Sequence, residues 1–97
     1  MDNRLLQFEW DERKAALNFA KHGIRFEEAA LTFFDEKFIR TFDKKHSEVE
    51  IRYAGIGRHP ARGLIVTCYT ERSDHIRIIS AQKANKKERR DYEEFGP

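Results

Sequence analysis

The hydrophobic pattern of this chain changes from helical to alternating near residue 37, and that switch restricts the folds open to it. From Glu12 to Phe34 the apolar residues recur at helical spacing, whereas from Phe38 to Ala81 they alternate. In Glu12–His22 the residues Ala16, Phe19 and Ala20 fall on one face. Asp11 is placed to cap the helix, Glu12 lies in its positive first turn, and Gly23 occupies the left-handed position after its end. A second helix is expected near 25–34, with Glu27 and Glu28 in its first turn and Phe26, Ala29, Ala30 and Phe33 along one side. Then Phe38–Asp43, Val49–Gly57, Leu64–Thr70 and His75–Ala81 read as strands rich in Ile, Val, Tyr, Phe and Thr. Lys44–Ser47, the stretch Gly57–Gly63 containing Pro60, and Glu71–Asp74 are turn-like separators. Connections this short predict an antiparallel meander, since parallel neighbours need crossovers of about a dozen residues or more. Leu5–Trp10 adds a leading strand and Lys86–Phe95 a closing helix. The order β-α-α-β-β-β-β-α describes an α+β domain with helices packed on one side of a mostly antiparallel sheet.

Ninety-seven residues are enough for one modest core, and residues 1–97 are read as a single domain. Eight Phe, three Tyr and one Trp argue against disorder. No apolar run approaches the ~18 residues of a membrane span, and the first ten residues lack the apolar centre of a signal peptide. A lone Cys68 rules out an internal disulfide and fits a reducing cytoplasm. Residues 49–97 hold ten Lys/Arg against seven Asp/Glu, and five of those basic residues lie within Lys83–Arg90. Such a cluster suits a phosphate backbone or an acidic protein partner, and equally a solvated helix face.

Two sets of polar residues could carry chemistry. Lys14, Asn18, Lys21 and His22 stand at i, i+4, i+7 and i+8, on the face opposite Ala16, Phe19 and Ala20. The stripe could track a phosphate backbone, with His22 as a proton carrier; it could also be the solvent side of the helix, with His22 near the C-terminal carbonyls. In the strands, Glu50 and Arg52 share one face of Val49–Gly57, and His75 and Arg77 share one face of His75–Ala81. If these faces coincide, they form a polar surface free of helices, or a set of cross-strand ion pairs. The four histidines have no metal-ligand spacing, no carboxylate pair suggests a two-metal site, and no glycine-rich nucleotide loop is present. Gly55 and Gly57 are expected to mark a bulge or bend, Trp10 to staple the first helix onto the sheet, and Cys68 to be a small core residue.

The run Phe8-Glu9-Trp10-Asp11-Glu12-Arg13-Lys14, then Asn18, Lys21-His22-Gly23 and Phe26-Glu27-Glu28-Ala29, resembles the opening of the BrnT family of bacterial toxins. Arg52-Tyr53 with Ile56-Gly57, Thr70-Glu71-Arg72, Arg77-Ile78-Ile79-Ser80-Ala81, and Glu88-Arg89-Arg90 with Tyr92 continue the likeness in the family's order. Lys83 departs from it: Arg is common there, and Lys keeps the charge but loses the bidentate fork. The resemblance implies a RelE-like fold and a metal-independent endoribonuclease with no cofactor. It also implies neutralisation by a BrnA-type ribbon-helix-helix antitoxin, with paired toxins in a 2:2 assembly that meets DNA only through the antitoxin. On that reading Arg52 and Arg77 bind the scissile phosphate, and Glu50 or His22 is the base. Lys14, Lys21, Lys83 and Arg72 position RNA. The alternative is a non-catalytic binding module or operon co-repressor that docks a partner through its basic C-terminal helix.

Overall fold

A computed structural model describes residues 6–43 and 50–95. Its elements are β1 (Gln7–Glu9), α1 (Glu12–His22), α2 (Phe26–Leu31) with a 3-10 turn over Thr32–Phe34, β2 (Ile39–Phe42), β3 (Tyr53–His59), β4 (Gly63–Arg72), β5 (His75–Lys83) and α3 (Lys86–Phe95). The expected turn Lys44–Ser47 and the positions Leu5, Val49, Gly96 and Pro97 lie outside the described residues. The sheet order is β1-β5-β4-β3-β2. Strands β2 to β5 form the predicted meander, and β1 joins β5 in parallel, with residues 10–74 as the crossover.

Alternation along β4 sorts the core into two layers. Ile65 packs with Ile24, Phe26, Ala29, Ile78 and Ala81 under α1 and α2. Its neighbours Leu64 and Val66 point the other way and pack with Ile56, Ala84 and Tyr92. The expectation that all helices share one side is therefore corrected: α3 sits on the opposite face, because Ala84, which leads into it, follows the parity of Leu64 and Val66, and Tyr92 packs in that same layer. Tyr92 fixes α3 there by donating its hydroxyl to Asp35 Oδ2 at 2.7 Å. A bulge shifts the register from Cys68↔Ser80 to Tyr69↔Ile78 and leaves Ile79 as the extra residue. That is why Ile78 and Ala81, three apart, both reach the α1–α2 core.

The inner face of α1 is also corrected. Leu17 is 63% exposed, Phe19 is exposed, and Ala16 and Ala20 face solvent, while Asn18 is 7% exposed. The β1–β5 ladder ends at Glu9↔Arg77. Beyond it the backbone of Ala81 is open on its outer side, and Asn18 supplies the missing partner. The Ala81 N–H donates to Asn18 Oδ1 at 3.0 Å, and Asn18 Nδ2 donates to Ala81 O at 2.9 Å and to Ile24 O at 3.0 Å. Hydrogen bonding, not apolar periodicity, decides which side of this helix is buried.

The capping expectations hold: Asp11 accepts from the N–H groups of Arg13 and Lys14, and Gly23 is left-handed with φ 72°. Trp10 packs edge-on to Phe26, with ring centroids 5.9 Å apart. The glycines of β3 mark close approach, not a bulge. A Cβ on Gly57 would stand 2.5 Å from the carbonyl oxygen of Thr32, and one on Gly55 would meet the Phe38 ring. Among the described residues no helix is long and apolar enough to cross a membrane.

Candidate active site

α3 covers only the end of its sheet face around Ile56, Leu64 and Val66. Past the bulge, towards the β4–β5 turn, that face carries polar residues in register. Thr70 stands opposite Arg77, Arg72 opposite His75, and Arg77 opposite Glu9. Glu50 and Arg52 reach the same place, although not as strand residues. The ladder starts at Tyr53, so the expected strand Val49–Gly57 begins later and runs on to His59. Thr70 Oγ1 donates to Ile51 O at 2.8 Å and the Asp43 N–H to Arg52 O at 2.8 Å, which keeps the segment beside the sheet.

Arg72 and Arg77 are held by carboxylates. Arg72 Nε lies 2.9 Å from Glu50 Oε1 and its Nη2 3.4 Å from Oε2; Arg77 Nη1 lies 3.4 Å from Glu9 Oε2. Hydrogen bonds from Arg72 hold the Glu50 carboxyl below its ordinary range, with the Arg52 charge assisting. Asp11 is lowered chiefly by the Lys14 N–H, and it feels the charges of Lys14 and Arg77 as well. The start of α1 therefore borders the arginine group. Solvent-exposed pairs of this kind add little to stability, so an incoming phosphate can exchange with a carboxylate at little cost. Bidentate guanidinium groups suit that exchange.

The structure thus brings together Glu50, Arg52, Arg72 and Arg77, with Lys14 at their margin. It does not bring in His22, Lys21 or Lys83. His22 lies eleven residues along α1 from Asp11, about 16 Å at helical rise. Lys83 is eight residues along β5 from His75, about 26 Å. Asn18, inward and fully engaged, drops out of the proposed stripe. The residue that sequence reasoning left without a role is His75. It stands opposite Arg72, with Nδ1 2.6 Å from Asp74 Oδ1, which orients the ring. The signal was present: His75 and Arg77 alternate on one strand face. Cys68 is half-buried, and burial, with Asp43 nearby, raises its thiol pKa, as suits an unreactive cysteine. Among the described residues, no three His, Cys, Asp or Glu side chains are grouped to hold a metal ion.

Three helices around a five-stranded, mostly antiparallel sheet, with cations on the half-open face, define a small α+β domain. The crystal structure of the Brucella abortus ribonuclease toxin, BrnT, at 1.1 Å has a similar fold. It matches with a TM-score of 0.63 and 24% identity, over 84% of this chain and 99% of that one. The family model described as the ribonuclease toxin, BrnT, of type II toxin–antitoxin systems matches residues 10–88, and the chain belongs to that family. Among curated proteins there is no significant sequence match.

Proposed function

We propose that this chain is the toxin of a type II pair, cleaving cytoplasmic RNA by transesterification without a metal, and that a BrnA-like ribbon-helix-helix antitoxin neutralises it in a 2:2 complex. Any contact with DNA runs through the antitoxin. The observation that carries the reading is the convergence of Arg52, Arg72 and Arg77 on the half of the sheet that α3 leaves open. In the reaction the ribose 2′-oxygen bonds to the adjacent phosphorus as its proton passes to a base. The P–O5′ bond breaks, and O5′ takes a proton from an acid. The products are a 2′,3′-cyclic phosphate and a 5′-hydroxyl. Arg52 and Arg77 neutralise the phosphorane, Arg72 and Lys14 hold the flanking backbone, and the preorganised donors supply most of the rate gain. Glu50 is a weak base because Arg72 stabilises its ionised form. His75, oriented by Asp74, is better suited to move the proton at its Nε2. A partner of antitoxin type is further supported by the apolar side chains that α1 leaves in solvent, Leu17 and Phe19.

The test is purified, partner-free protein incubated with RNA in excess EDTA. Cleavage that persists and leaves 2′,3′-cyclic phosphate ends is expected. Loss of cleavage in EDTA with recovery in Mg²⁺ or Mn²⁺ would overturn the metal-free mechanism, and no cleavage under any condition would favour the binding-module reading.

A further inference from the structure

On the other face of the same sheet end lies a cavity of about 700 Å³ that none of Arg52, Arg72 and Arg77 lines and that shares Asp74 and His75 with the proposed cleavage site. Phe33, Phe38, Tyr69 and Ile76 wall it, and Arg40 and Glu71 stand at its mouth. We propose that this cavity receives a guanine base of the RNA and gives the nuclease its base preference; the inference rests on the ribonuclease reading above.

The walls offer flat aromatic surface. Phe33 lies 4.7 Å from Phe38 and 4.8 Å from Tyr69 between ring centroids, and unpaired bases are held by stacking on such rings. The mouth offers a donor and an acceptor side by side. Arg40 Nη1 is 3.1 Å from Glu71 Oε2, and the guanidinium lies over the Tyr53 ring at 4.5 Å, which fixes its plane. Guanine alone among the four bases presents two acceptors, O6 and N7, next to the donors N1–H and N2–H₂. Arginine pairs with the first set and a carboxylate with the second. Adenine puts an amino group where guanine has O6, and it would meet the guanidinium donor to donor. Burial raises the Tyr69 hydroxyl pKa to about 12 despite the Arg40 hydrogen bond, so it remains a neutral donor.

Placement links the cavity to the cleavage face. Tyr69 and Glu71 point into it, while Thr70 and Arg72, the alternate residues of β4, point to the arginine side. An RNA strand crossing the end of the β4–β5 hairpin at Ser73–Asp74 would therefore set a base on one face and a phosphate on the other.

The experiment has two arms. The full chain is titrated with 5′-GMP, AMP, CMP and UMP by NMR, and cleavage ends on a mixed RNA are sequenced for the wild type, Arg40→Ala and Glu71→Gln. Arg40 and Glu71 are each about half exposed, so both variants keep the fold. The wild type is expected to bind GMP about tenfold or more tighter than AMP, and to cut beside G. Both variants should lose the preference while still cutting. Cleavage without base preference, with no selective GMP binding, overturns the pocket and leaves the nuclease. Selective GMP binding without cleavage of any RNA keeps the pocket and overturns the nuclease.

Discussion

Replacing Asn18 by alanine should unfold this protein more readily than almost any other single change on α1. The side chain makes three hydrogen bonds, all buried, to the two polar groups of Ala81 and to Ile24 O. At about 1 kcal/mol each, their loss costs about 3 kcal/mol, and about 5 if the abandoned Ala81 groups stay dry. Domains of this size are stable by about 5–15 kcal/mol in total. The melting temperature should therefore fall by about 12–24 °C, at about 4–8 °C per kcal/mol. The assay is urea and thermal unfolding of the purified variant beside the wild type. Asn18→Asp sharpens it, because the carboxylate still accepts from the Ala81 N–H but turns a lone-pair oxygen toward two carbonyls. Burial raises the pKa of that acid above its unfolded value. The deficit of Asn18→Asp should then be largest at neutral pH and shrink as pH falls, once the carboxyl is protonated and can donate. A loss under about 1 kcal/mol in Asn18→Ala, accompanied by weaker RNA binding, would refute the argument and return Asn18 to the solvent face.

If Arg52 and Arg77 stabilise the phosphorane, Arg52→Ala and Arg77→Ala should each lower the cleavage rate about 100- to 1000-fold, with melting almost unchanged; near-wild-type cleavage in both would leave them as surface ion pairs. Arg52→Lys and Arg77→Lys should remain folded and still lose most activity, measured as RNA turnover and as growth on induction. Burial tends to raise the pKa of Asp35, but the Tyr92 hydroxyl and the N–H groups of Lys37 and Arg58 outweigh it and leave the group below its ordinary 3.8. Its contribution to stability is thus complete above pH about 4 and disappears as pH falls through the lower folded value, so Asp35→Asn should flatten the acid limb of a stability–pH curve. Gly57→Ala should cost about 1–3 kcal/mol in urea unfolding, because the new methyl group meets the Thr32 carbonyl.

The helices and strands were legible because each long segment keeps one period, and Asp11 and Gly23 announce the ends of α1. The facing of α1 was not. Ala16, Phe19 and Ala20 look like a buried face, and nothing local reveals that β1 is too short to cover Ala81. The side taken by α3 was hidden for a related reason, since it follows from strand parity after the bulge at Ile79. In the site, the alternation in His75–Ala81 correctly put His75 and Arg77 on one face. The pairing of Arg72 with Glu50 depends on the β3–β4 register and on the late start of β3, neither of which alternation encodes. Lys83 and His22 have side chains of a suitable type, and only the lengths of β5 and α1 carry them away from the arginines.

The seal that Asn18 places on β5 also governs how the chain can meet another extended chain. A sheet grows by adding a strand to a free margin, and on the β5 side that margin is closed, first by β1 and then by a side-chain amide. Among the described residues the free margins are those of β1, three residues long, and of β2, whose ladder is four residues long and carries Arg40. Short, charged margins discourage runaway strand addition. A side chain standing in for a strand thus leaves this sheet little exposed backbone through which two copies could join, and association has to run through side chains instead.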